Sequence, residues 1–135
     1  MKFPFNLFML SLGAIGIDRS PKVPGQKRKS MVEAMASLFD EHKRIAVVVT
    51  PEGSRSLRTE WKTGFYYVAQ TAGVHVCCGY LDYRKKEAGV GMEVLPGDDE
   101  AEDLKQIMEF YRGIHPKFPK KFSIDTRYSE MILDK

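Results

Sequence analysis

Cysteine is scarce in this chain. Cys77 and Cys78 are the only two, and they are adjacent. Neighbours on a strand point to opposite faces, so the pair is badly placed for a shared metal or a disulfide. No Cys/His spacing resembles a zinc site. The expectation is two buried free thiols in a reducing compartment. A strong charge bias is also lacking. The net charge is +3, too small to argue for a nucleic-acid protein, although a local basic patch suits anionic lipid or phosphate. No apolar run is long enough to span a membrane. The longest, residues 3–17, is broken by Pro4, Asn6 and Ser11 and falls short of the ~20 residues a spanning helix needs. Lys2 ahead of it imitates a signal peptide, but no A-x-A-like cleavage site follows. The expected location is cytoplasmic, with peripheral contact at the inner membrane surface. Internal repeats and low-complexity segments are absent too.

What is present is enough for one domain. The chain has 135 residues and is 43% apolar, which supports a core and argues against disorder. Residues 6–13 read as an apolar helix ended by Gly13, and 14–19 as a short strand. A basic linker, 21–29, holds two prolines and a glycine. Ser30 and Glu33 form a capping-box pattern opening a helix with Met31, Met35, Leu38 and Phe39 on one face. That helix is expected to end near His42 and Lys43, cations suited to a C-terminus. The β-branched run 44–50 reads as a strand covered on both faces, as in a parallel sheet. A loop, 51–62, leads to a helix over 63–72 stopped by Gly73. Residues 74–83 read as a buried strand, 84–89 as a polar turn, and 90–95 as a hairpin neighbour. A helix from about Glu100 to Tyr111 points Leu104, Ile107, Met108 and Tyr111 inward. Residues 113–135 read as a basic, less regular tail. The fold class is α/β: a layered, mostly parallel or mixed sheet flanked by helices.

The chemistry concentrates where the run 44–50 stops. In open α/β sheets, ligands bind beyond the carboxyl ends of strands. There the sequence reads T-P-E-G-S-R, residues 50–55. Pro51 ends the ladder, Gly53 permits close approach or a positive φ, and Arg55 offers a planar fork that fits phosphate. Glu52 can accept from a substrate hydroxyl or hold an arginine. A plain type I turn, with Pro second and Gly fourth, explains the same residues, and on these grounds alone the two readings stand level. Arg19 also follows a short strand. It can converge with Arg55 on one phosphate, or pair with Asp18 or Glu52. Lys62 sits at a helix start, where a bound anion would relieve its conflict with the macrodipole; a solvated lysine is the plainer reading.

The blocks G-A-I-G-I-D-R-S, V-V-V-T-P-E-G-S-R-S and W-K-T-G-F-Y-Y-V-A-Q-T-A-G-V-H-V-C-C-G-Y-L-D-Y, in this order and spacing, together resemble the glycerolipid acyltransferases, the 1-acylglycerol-3-phosphate acyltransferase group. The resemblance covers residues 3–83. It implies transfer of an acyl group from acyl-CoA or acyl carrier protein to a lysophospholipid hydroxyl in phospholipid biosynthesis, with no cofactor beyond the acyl donor as substrate. By the same resemblance Arg19 and Arg55 bind the acceptor phosphate, while Glu52 and Gly53 shape the glycerol site, with Ser54 in the place of a threonine and Lys62 opening the following helix. Thr50 stands for the family's phenylalanine and His75 for its proline.

One departure is larger. The family's base is a histidine in an H-x4-D block. The fifth residues after His42, His75 and His115 are Val47, Tyr80 and Lys120, so that block is absent from these residues. The expectation is a single partial domain over 1–135, by truncation, by a gene read from an internal methionine, or by loss of the chemistry. Little transferase activity is expected of it alone, and self-association through exposed apolar surface is expected. Two other readings stay open: a non-catalytic phosphate- or lipid-binding module, and a membrane-surface protein. The last rests on the linker 22–29 and on Tyr111, Phe118 and Phe122 alternating with Lys117, Lys120 and Lys121. Nucleic acid is not an expected partner.

Overall fold

The computed structural model describes residues 30–129. The expected elements before Ser30, including Arg19 and the basic linker, lie outside them. The described residues form a small α/β domain: helix α1 (Met31–Glu41), helix α2 (Gly64–Ala72), strands β1 (Val76–Asp82) and β2 (Glu87–Val94), helix α3 (Glu100–Arg112), a 3-10 turn at Pro119–Lys121, and the short helix α4 (Thr126–Ser129).

Local signals place the helices. The Ser30 hydroxyl accepts from the Glu33 N–H at 3.1 Å, and the Glu33 carboxylate accepts from the Ser30 N–H at 2.6 Å, so the capping box satisfies two donors that α1 would otherwise leave unpaired. α1 packs on α2. Leu38 and Ala36 are buried, Met35 and Phe39 half-buried, and Met31 exposed. The helix stops at Glu41 with no basic side chain in its last turn. His42 caps it through its backbone N–H to the Leu38 carbonyl, 3.1 Å, so a main-chain bond replaces the cation–dipole contact expected from His42 and Lys43. α2 ends at Gly73, whose φ of +63° is left-handed, the conformation glycine adopts without steric cost. Asp99 caps α3, accepting from the Glu102 N–H at 3.1 Å.

The sheet differs from expectation. The described residues hold one two-stranded antiparallel sheet, β1 against β2. A parallel pair needs a crossover of a dozen residues or more; here four residues, 83–86, join the strands. The hairpin neighbour expected at 90–95 therefore forms, but starts earlier. The Asp82 carboxylate accepts from the N–H groups of Arg84 and Lys85, each at 2.9 Å, which closes the turn at once. Glu87, Ala88 and Gly89, read as turn, join β2. The run 44–50, expected as a strand, has no ladder partner among the described residues. Its burial alternates, Ile45 and Val47 half-buried against Ala46 and Val48 exposed, with Val48 92% exposed. Only one of its two faces is covered by described residues.

The core lies between the hairpin and α3. Trp61, Tyr66, Cys78, Val94, Leu104, Ile107 and Met108 form one buried cluster; each such side chain contributes about 1.5–3 kcal/mol through apolar burial. Tyr111 is only half-buried, its hydroxyl donating to the Gly79 carbonyl at 2.8 Å. The described part of the tail, residues 113–129, is more regular than its composition suggests: Phe122, Ile124 and Tyr128 pack on the core, and Asp125 is fully buried.

The cysteines point apart as strand geometry requires, but only Cys78 is buried; Cys77 is exposed. Burial pushes the Cys78 thiol up to about 11. A thiol reagent at neutral pH is expected to modify Cys77 quickly and Cys78 only on unfolding. Two fast equivalents in a titration of the native chain would contradict this placement.

Candidate functional site

The site grows from the turn that ends the run 45–50. The Gly53 N–H donates to the Thr50 carbonyl at 3.0 Å, so the turn reading holds as geometry. Gly53 has φ +59°, a conformation that penalises any side chain. From there the chain loops outward and returns at Lys62, whose N–H donates to the Pro51 carbonyl at 2.9 Å. The Lys62 side chain then lies across Gly53. A Cβ on that glycine would stand 3.2 Å from the ammonium nitrogen and 3.4 Å from Cε. The bend is what requires glycine at Gly53; a Cβ there would also press on the end of the Lys62 side chain, which can shift.

This loop encloses an open cavity of about 490 Å³. Glu52, Gly53 and Lys62 form one side and residues 57–60 the other. Its charges are mixed: Lys62 and Arg58 against Glu52 and Glu60. Partial burial raises the Glu52 carboxyl above its ordinary value. A second cavity of about 200 Å³ adjoins the first and is apolar, bounded by Met31 and Met35 of α1, Val49, Pro51, and Phe65 and Val68 of α2. Lys62 borders both.

The far wall of the charged cavity is held by the tail. The buried Asp125 carboxylate accepts from the Trp61 N–H at 2.8 Å and from Arg127 at 2.6 and 3.0 Å. Arg127 also donates to the Trp61 carbonyl at 2.8 Å, the Trp61 indole N–H donates to the Ser123 carbonyl at 3.0 Å, and the Thr126 N–H donates to the Thr59 carbonyl at 2.9 Å. Burial alone would raise the Asp125 carboxyl; the bonds from Arg127 and Trp61 override it and hold the group below its ordinary value.

Of the residues singled out in the sequence, Glu52, Gly53 and Lys62 come together. Ser54 sits on the turn but uses its hydroxyl locally, accepting from the Ser56 N–H at 3.1 Å. Arg55 is exposed and does not line the cavity. Arg58, three residues on, does. The signal for it was present in the repeated arginine of R-S-L-R, but spacing alone cannot say which arginine turns inward. Arg19 lies outside the described residues. α2 begins at Gly64, not at Lys62, and its N-cap Thr63 makes no side-chain capping bond, so the first amide donors of α2 carry no such cap. No cluster of three or more His, Cys, Asp or Glu residues suited to a metal occurs among the described residues, and no helix among them is long and apolar enough to cross a membrane.

Comparisons with protein-family models, with curated proteins and with solved structures match nothing to this chain.

Proposed function

We propose that this chain binds a lysophospholipid-type acceptor at the loop 50–62, as part of a glycerolipid acyltransferase that moves an acyl group from acyl-CoA or acyl carrier protein to the acceptor hydroxyl. The observation that carries this reading is the place of Lys62, at the joint between a charged cavity and an apolar groove. A lysophosphatidate has that shape, with an anionic head on one end and an acyl chain on the other. Lys62 and Arg58 would neutralise the phosphate. Glu52 would accept from a glycerol hydroxyl, and the bare backbone at Gly53 would let the head approach. Arg19 and Arg55 enter only through the resemblance of their motifs to the family. In the same reading the run 44–50 is one strand of a larger layered sheet, and peripheral membrane contact supplies the lipid. The sequence includes no H-x4-D block, and the part proposed for these residues is acceptor binding.

Calorimetric titration with two short-chain lipids and glycerol 3-phosphate tests the reading. Lysophosphatidate is expected to bind about a hundredfold more tightly than glycerol 3-phosphate, since each buried methylene contributes about 0.8 kcal/mol. It is also expected to bind at least about tenfold more tightly than the matching monoacylglycerol, from one charge-assisted contact. Equal affinity for the phosphorylated and unphosphorylated lipids would sink the proposal. Turnover of acyl-CoA by this chain at an ordinary enzymatic rate of about 10 per second would overturn its restriction to binding.

A further inference from the structure

The sequence places its basic and aromatic residues in the tail. The structure turns two of that set inward and adds another group. Tyr111 and Phe122 turn inward against the core, leaving Phe118 as the exposed aromatic of the three, at 60%. The hairpin turn 83–86 then joins it. The Tyr83 N–H donates to the His115 carbonyl at 2.9 Å, and Arg84 lies 3.2 Å from the His115 ring nitrogen. The buried Asp82 carboxylate ties both segments, accepting from the Arg84 and Lys85 amides and, at 3.4 Å, from the His115 N–H. The result is one platform. Arg84, Lys85, Lys86, Lys117, Lys120 and Lys121 are all exposed. The Lys117 ammonium lies 5.7 Å from the Tyr83 ring centre and 5.3 Å from that of Phe118, with Lys121 5.8 Å from the latter.

An apolar strip adjoins it. Leu81 pairs with Ala88, and Gly79 with Val90, so Leu81 and Val90 stand on one face of the hairpin. They are 60% and 72% exposed. Cys78 and Asp82 take the other face, toward the core.

We infer that this hairpin-and-tail platform docks on an anionic membrane surface. Ammonium groups seated beside exposed rings suit the headgroup boundary, where the ring sinks and the charge stays with lipid phosphates. Six cations within a Debye length of an anionic leaflet attract it strongly. The exposed Leu81 and Val90 favour lipid over nucleic acid, because a polyanion in water has no use for an aliphatic strip. The platform shares no residue with the loop 50–62 and does not rest on the acyltransferase reading.

Co-sedimentation of the full chain with vesicles tests this, comparing neutral phosphatidylcholine with the same lipid doped with phosphatidylserine. Binding is expected to the doped vesicles, and to fall steeply as salt rises from ~0.1 to ~1 M, where the Debye length shrinks from ~10 to ~3 Å. Each cation near the surface is expected to strengthen binding about fivefold, so the double variant Lys117→Glu/Lys121→Glu should bind at least about 25-fold more weakly. Leu81→Ser/Phe118→Ser should weaken binding while leaving the salt slope unchanged. All four side chains are exposed, and a thermal melt confirms that the variants fold. Equal binding to neutral vesicles, no binding at low salt, or tighter binding to duplex DNA or RNA than to anionic vesicles overturns the inference. A chain that binds soluble lysophosphatidate but ignores vesicles overturns this inference alone. The reverse result overturns only the acceptor proposal.

Discussion

Asp125→Ala is expected to lower the unfolding free energy by about 3 kcal/mol. The ion pair itself is a small part of this. Arg127 is 44% exposed, so water can take over the guanidinium when its partner is gone, and solvent screens the attraction. The cost lies in what stays buried. The Trp61 N–H loses its acceptor in a closed core, a penalty of about 1–3 kcal/mol, and the Arg127 N–H loses its 3.0 Å bond to the same carboxylate. With those bonds gone, Phe122, Ile124 and Tyr128 lose the anchor that holds them on the core. In a domain of this size the melting temperature should fall by about 10 °C. A loss below about 1 kcal/mol in denaturant unfolding would show that the tail is held by packing alone. The pH dependence gives a second check. The folded-state value of Asp125 lies below its ordinary 3.8, as does that of Asp82, where the Lys85 backbone N–H is the main cause. Stability from these groups is thus fully present above about pH 4 and is lost as pH falls through the depressed values. The deficit of the alanine variant should therefore be largest near neutrality and shrink in acid.

Lys62→Glu is expected to weaken lysophosphatidate binding about a hundredfold. One charge-assisted contact contributes about 1.5–3 kcal/mol, or roughly ten- to a hundredfold, and reversal adds repulsion beside Glu52 and Glu60. The side chain is exposed, and its backbone bond to Pro51 survives the change, so stability should shift by no more than about 0.5 kcal/mol. That split separates a binding role from a structural one. Gly53→Ala should do the opposite: φ +59° and the 3.2 Å approach of the ammonium make a Cβ cost about 1 kcal/mol or more in stability, while binding falls only as far as Lys62 is pushed aside. Unchanged affinity in Lys62→Glu would remove the central cation from the proposed site.

Legibility in the sequence followed distance along the chain. Ser30 and Glu33 are three residues apart, and their reciprocal bonds are present as read. Gly73 stops α2 because the left-handed cap is a property of one residue. Leu104, Ile107 and Met108 lie on one helical face by periodicity, and that face is buried. The turn at 50–53 and the opposition of Cys77 and Cys78 belong to the same local class. Arg55 and Arg58 mark where that reach ends. Both sit on the loop with free rotation about several bonds, and the fold of residues 57–60 against the tail is what turns Arg58 toward the cavity.

By itself, then, the sequence determined helices α1, α2 and α3, the caps at Ser30, Gly73 and Asp99, the bend at Gly53 and the α/β class, because these depend on contacts within about one helical turn or on a single residue's backbone preference. Tertiary structure alone decided the rest. Asp125 reaches Trp61 across sixty-four positions and Asp82 reaches His115 across thirty-three, and both would pass for surface carboxylates on composition. Local donors meet part of their need, but their burial also takes donors from distant segments that no local pattern announces. The same long-range closure places Lys62 between a charged cavity and an apolar groove, and brings residues 83–86 beside residues 115–121.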